Sequence, residues 1–232
     1  MIFEPDTLDF LRDVKKNNCK AWFLENKVRY ENSLMKPLKA LVVELTDLML
    51  QIDEEFEVEP RVDRTISRIY RDTRFSKDKS LYKNAMWITF KKKGRDNVDY
   101  PAFFFQLTPY EFFYGLGFYS ASVKSMNAIR DMIMQNEKKF KQIIEEIYNK
   151  KVFSLEGELY KRNRYKGSDE EIANWYNRKN LYLIYYSKNM NELFDDQFLK
   201  YLKSGFESLA PIYDFFTQAL SEQWLKDEGF EN

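Results

Sequence analysis

The chain has no histidine and one cysteine, Cys19, among 232 residues. The first absence excludes Ser-His-Asp and Cys-His catalytic machinery, and with it histidine-ligated zinc and iron. The second excludes an intramolecular disulfide and any thiolate cluster, and fits a reducing compartment. Glycine (7) and proline (6) are scarce, and no linker, repeat or low-complexity stretch interrupts the chain. Long apolar runs are missing too. The best stretch, Leu38–Leu50, carries Lys39, Glu44 and Asp47, too short and too polar to span a bilayer. The N-terminal MIFEPDTLDFLRD is acidic, so no signal peptide is expected there. The expectation is a soluble cytoplasmic protein with no membrane partner.

Aromatic residues are abundant: 20 Phe, 16 Tyr and 4 Trp. With 44% apolar residues they support a packed core rather than disorder. Lysine plus arginine (37) balances aspartate plus glutamate (37), but the balance is an average over unlike segments. The net charge is −5 over residues 1–60, +9 over 61–95, −1 over 96–150, +3 over 151–190 and −6 over 191–232. Basic interior stretches of this kind point either to an anionic partner or to neutralisation by the acidic ends.

Helical spacing marks residues 6–16, with Asp6 or Thr7 as N-cap, then about Lys20 to Ser33, then a helix entered through Pro37 and ending near Ile52. Past Pro60 the period becomes two. Met86, Ile88 and Phe90 alternate with Trp87, Thr89 and Lys91, Ala102–Leu107 is nearly all apolar, and Tyr110–Tyr119 alternates again. Lys92–Asn97 and Thr108-Pro109 read as turns, so an antiparallel meander is expected, with Thr65–Asp72 as a further strand. Ser122 to about Tyr148 reads as one helix and residues 154–168 as irregular. Asp169–Arg178 reads as a short helix capped by Ser168, Leu181–Tyr186 as a last strand, and Leu193 to about Leu225 as two helices broken near Gly205 or Pro211. The fold class expected is α+β: one domain over residues 1–232, its mainly antiparallel central sheet flanked by N-terminal and C-terminal helices.

Residues 64–83, RTISRIYRDTRFSKDKSLYK, hold seven cations: Arg64, Arg68, Arg71, Arg74, Lys77, Lys79 and Lys83. Asp72 and Asp78 are interleaved with them. Guanidinium forks match carboxylate or phosphate with two parallel hydrogen bonds, and an internal aspartate orients a neighbouring arginine. The candidate ligand-binding set is Arg68, Arg71, Asp72, Arg74, Lys77, Asp78, Lys79 and Tyr82, with Lys161 and Arg162 as a second basic wall. The competing reading is a salt-bridge network that pins a loop and binds nothing. The surplus of cations over aspartates favours anion recognition.

The pattern Arg68-x-x-Arg71-Asp72-x-Arg74-Phe75-x-x-Asp78-Lys79-x-x-Tyr82 resembles the signature RxxRDxRFxx[DN]KxxY. That signature marks a bacterial family of unknown function and about this length, also found within longer fungal proteins. Asn17-Asn18 with Trp22-Phe23, Gly115-x-Gly117-x-Tyr119, and Lys161-Arg162 before Gly167 are similar as well. Leu81, where the family is expected to carry proline, and the acidic Ser168–Glu171 depart from it. The resemblance implies one α+β domain and no particular activity.

Other features carry less. Gly115-x-Gly117 lacks the third glycine of a dinucleotide fingerprint and reads instead as a close approach of two backbones or of a ligand. No cofactor is expected, and Asp72 with Asp78 makes a weak magnesium pair. An enzyme would have to use Asp72, Asp78, a lysine of lowered pKa or Tyr82 as base. Nucleic acid is the least favoured partner, since dedicated binders carry net positive charge.

Overall fold

The computed structural model describes residues 2–74, 77–94, 99–118, 121–150 and 152–227. Phe75 of the signature, Arg95 of the basic turn and Tyr119 lie outside them. The fold is α+β. A five-stranded, mainly antiparallel sheet has the order β1-β2-β3-β5-β4, where β1 is Met86–Phe90, β2 Ala102–Leu107, β3 Phe112–Gly117, β4 Ser154–Glu156 and β5 Tyr182–Ser187. Helices precede and follow the strands in the chain. Among the described residues no helix is long and apolar enough to cross a membrane.

The contacts gather into two units: residues 1–90, 104–114 and 186–204 in the first, and 91–103, 115–185 and 205–232 in the second. The first opens with α1 (Pro5–Lys16), capped by Glu4, whose N–H donates to Thr7 Oγ1 at 3.4 Å. Neither Asp6 nor Thr7 is the cap, because Pro5 already occupies the first helical position and Asp6 is engaged by Arg29. α2 (Lys20–Glu25) stops at Asn26, and α3 (Lys27–Arg29) runs through a π-helical turn, Tyr30–Met35, into α4 (Lys36–Ile52). The expected break before Pro37 is thus a widening. Proline has no N–H and its ring crowds the carbonyl four residues back; here the Lys36 N–H reaches Glu31 O, one residue further than in an α-helix. The core of this unit is aromatic. Phe3 stacks on Phe105 at 5.8 Å and meets Phe198 edge-on at 6.0 Å.

In the second unit the single helix expected from Ser122 is two, α5 (Val123–Gln135) and α6 (Glu137–Asn149). Asn136 leaves helical geometry between them (φ −128°), its side-chain Nδ2 donating to Met132 O. The stretch read as irregular contains β4, whose Ser154 faces Ile184 and whose Glu156 faces Tyr182. Three residues are too short for a periodic signal. α7 (Glu170–Tyr176) is capped by Asp169 rather than Ser168: its carboxylate accepts the N–H groups of Glu171 and Ile172. Gly115 and Gly117 do permit a close approach. A Cβ on Gly115 would lie 1.9 Å from Leu183 O, and one on Gly117 2.2 Å from Tyr182 Cβ. A 3₁₀ turn, Met190–Phe194, falls within the residues of the first unit, and the last described element is one helix, α8 (Phe198–Asp227), with Pro211 inside it. The expected break is overridden by a buried apolar stripe on both sides of the proline, including Leu202, Phe206, Leu209, Ile212 and Phe216.

Candidate functional site

The basic motif lies in the first unit, on the outer edge of β1. Its start, Thr65–Arg71, is extended and antiparallel to Leu81–Thr89. The Ser67 N–H donates to Trp87 O and the Thr89 N–H to Thr65 O; further out, the Lys83 N–H donates to Ile69 O and the Arg71 N–H to Leu81 O. This is less than the strand expected. Ile66 is opposite Ile88 and Tyr70 opposite Tyr82, so four steps on one side face six on the other, and only isolated bridges form. The two extra residues bulge the returning strand between Lys83 and Met86. Leu81 contributes its carbonyl to this pairing, and a proline at that position would supply the same acceptor.

Tyr82 is buried and belongs to the core. Its ring stacks on Phe23 at 4.3 Å and lies 5.1 Å from Tyr70. Burial and the Tyr70 hydroxyl push its phenol up to about 12. The Asn18 amide holds its backbone from both sides: Oδ1 accepts the Tyr82 N–H at 3.0 Å and Nδ2 donates to Tyr82 O at 2.9 Å. The same Nδ2 donates to Val14 O in the last turn of α1. Asn18, Phe23 and Tyr82, scattered through the sequence pattern, therefore form one clamp.

Beyond Arg71 the motif turns on itself. Asp72 accepts Arg74 Nε at 3.0 Å and Nη2 at 2.7 Å, a two-pronged pair that lowers the Asp72 carboxyl to about 2 and raises Arg74. Arg71 donates Nε to Ser80 Oγ at 3.0 Å and pairs with Asp78 at 3.1 Å. The Ser80 N–H and hydroxyl, then Arg71, hold the Asp78 carboxyl below its usual value. Lys79 donates to Thr73 O at 2.7 Å. Lys77 is exposed. Each aspartate is thus engaged by a cation of the motif, Asp72 by Arg74 and Asp78 by Arg71.

The start of the motif differs. Arg68 is largely exposed and reaches Asp63 at 2.9 Å. Lys83 is half-buried, with Nζ 3.9 Å from the centroid of the Trp87 ring and no carboxylate partner among the described residues. Burial first, then the charges of Arg68 and Arg71, depress its ammonium to about 8. Counting cations singles out Lys83 no more than the others. Its distinction comes from Trp87, four residues on across the bulge.

Lys161 and Arg162 lie in the second unit, exposed on the loop before α7. This unit also holds two buried arginines that residue spacing alone did not single out. Arg130 donates to Tyr176 O, Arg178 O and Asn127 Oδ1, and Arg178 to Gly157 O and Asn174 Oδ1. A signal for Arg130 exists: it sits four residues after Met126 and three before Ile133, inside the apolar face of α5. Among the described residues no group of three or more His, Cys, Asp or Glu side chains gathers to hold a metal.

No significant match was found among curated proteins or solved structures. A family model does match, over residues 6–215 and hence across the whole motif, the Asn18 clamp and the second basic stretch. The chain belongs to the DUF2461 family of conserved hypothetical proteins.

Proposed function

We propose that the protein binds a small anionic molecule, phosphorylated or carboxylated, at the face carrying Arg68, Arg71 and Lys83. The observation that carries this reading is the state of Lys83: an ammonium half removed from water, laid on an indole ring, repelled by Arg68 and Arg71 more than Asp63 attracts it, and without an ion-pair partner among the described residues. Arg68 and Arg71 have aspartate partners and Lys83 has none among the described residues; an ammonium held out of water beside two guanidiniums is costly, and a bound anion relieves that cost. Guanidinium and ammonium donors together suit phosphate or carboxylate. The lone exposed Cys19 suits a cytoplasmic setting, which forms part of this reading.

A second reading applies to the rest of the motif. The Asp72–Arg74 pair, the Arg71–Asp78 pair and the Lys79 contact to Thr73 O close the loop on itself, so Asp72–Lys79 serves as a staple that shapes the face without touching ligand.

A thermal-shift series at constant ionic strength, with inorganic phosphate, citrate and sugar phosphates, tests the proposal. At least one anion is expected to raise the wild-type Tm, and the rise is expected to shrink in an Arg68→Ala, Lys83→Met variant. An equal shift in that variant, or none in the wild type, rejects the site.

A further inference from the structure

We propose a second anion site, in the second unit: the open cavity beside Tyr160 takes a small molecule through its carboxylate or phosphate group. Arg130 is 2% exposed and Arg178 8%. Arginines are almost never this buried without a carboxylate. Among the described residues their acceptors are neutral: backbone carbonyls of Tyr176, Arg178 and Gly157, side-chain oxygens of Asn127 and Asn174, and the Tyr160 hydroxyl beside Arg130. The buried Nε of Arg178 has no hydrogen-bond partner among the described residues. Arg130 does meet the carbonyl end of α7, but a helix terminus offers only about half a charge, against two whole ones.

Both arginines stand behind one wall of the cavity. Arg178 Nη2 donates to Asn174 Oδ1 at 2.9 Å, and Arg130 Cζ is 5.3 Å from the ring centroid of Tyr160. Tyr160 and Asn174, with Asn163 and Asn177, line an open cavity of about 280 Å³. The same tyrosine ring carries Arg164, 4.6 Å away, and Lys179 at 5.9 Å. Lys179 is paired with Glu158, whereas the exposed Arg164 has no carboxylate partner among the described residues. Glu170 is a carboxylate on the lining; Arg130, Arg164 and Arg178 stand behind or beside it, without an ion pair among the described residues. Charges inside a protein are screened far less than in water, so Arg130 and Arg178 lend the cavity a positive potential while Arg164, the Tyr160 hydroxyl and the asparagine amides make the contacts. The basic stretch 161–166 thereby acquires a role apart from the motif of the first unit.

Calorimetric titration of the full chain with inorganic phosphate, and separately with citrate, tests this. The Arg68→Ala, Lys83→Met variant is expected to keep binding one of the two probes at one per chain. Arg164→Ala, an exposed change that leaves the fold intact, is expected to weaken that binding about tenfold or more, the worth of one charge-assisted hydrogen bond. Tyr160→Ala is expected to do the same. Binding unchanged in both Arg164→Ala and Tyr160→Ala overturns this site and spares the one at Lys83. Binding lost from both of these yet unchanged in the Arg68→Ala, Lys83→Met variant overturns the site at Lys83 and spares this one. A wild type that binds neither probe overturns it. The preferred probe tells phosphate from carboxylate.

Discussion

Two side chains decide how the motif edge behaves, and neither is an arginine. Asn18 replaces a missing strand by offering Tyr82 one acceptor and one donor. Asn18→Ala leaves both backbone groups without that partner and is expected to cost about 1–3 kcal/mol in urea unfolding. Asn18→Asp restores the acceptor but not the donor, so it should remain less stable than wild type. Lys83 sets a pH dependence. Its folded pKa, about 8, lies below the ordinary lysine value. The unfolded chain therefore binds more protons from about pH 8 up to that value, and stability should rise across the window. Anion affinity should move the other way, constant below about pH 8 and falling above it as the ammonium loses its proton. Lys83→Met removes both trends, which titrations at pH 7, 8 and 9 would show.

At the scale of elements, packing corrected the chemistry of single residues. Pro37 and Pro211 were natural places to end helices. One is passed by a π-helical turn and the other by a buried apolar stripe. Asn136 divides a helix that its periodicity had kept whole. The glycines of β3 were legible as a close approach because glycine on alternate positions of a strand has few other uses. Gly115→Ala puts a methyl group onto Leu183 O and is expected to cost about 1–3 kcal/mol or more, read as a fall in Tm. The same change at Gly94, with open space around it, tests backbone strain alone, since its φ is +67°. Within the motif, Ile69 is buried, and residue alternation could not show the bulge that sets six residues against four.

For the whole molecule, zero net charge conceals an uneven distribution, and the acidic N-terminal segment has a definite role. Asp6 and Asp13 together hold Arg29, with Nη1 2.8 Å from Asp13 and Nε 2.9 Å from Asp6. This holds the Asp6 carboxyl below its usual value, chiefly through the Arg29 hydrogen bonds. A lowered carboxylate pKa adds stability that is present above about pH 4 and disappears as pH falls through the folded value. Arg29→Met should lower Tm at pH 7 and flatten the loss of stability between pH 5 and 3, a slope that acid titration of both proteins would compare. So acidic residues of the N-terminal segment hold a cation of their own segment, Arg29, while Glu57 and Glu59 pair with Arg61 and Arg64 at the start of the +9 stretch, which leaves its later cations to other partners.

Residue types and their order were enough to exclude histidine and disulfide chemistry, to set the α+β class, and to find the motif through its cation density and its resemblance to a family signature. These are local properties: periodicity, turn chemistry and charge per segment need no knowledge of the fold. Which cations lack a counter-ion was decided only in three dimensions. Arg74 and Lys77 looked equivalent to Lys83, and Arg130 looked like one charge on a helix. A cation's standing depends on what long-range packing brings to it. For Lys83 that is the Trp87 indole and two repelling arginines; for Arg130 it is the carbonyl of Arg178, 48 residues along the chain. Desolvation is created by tertiary burial, and no local pattern encodes it.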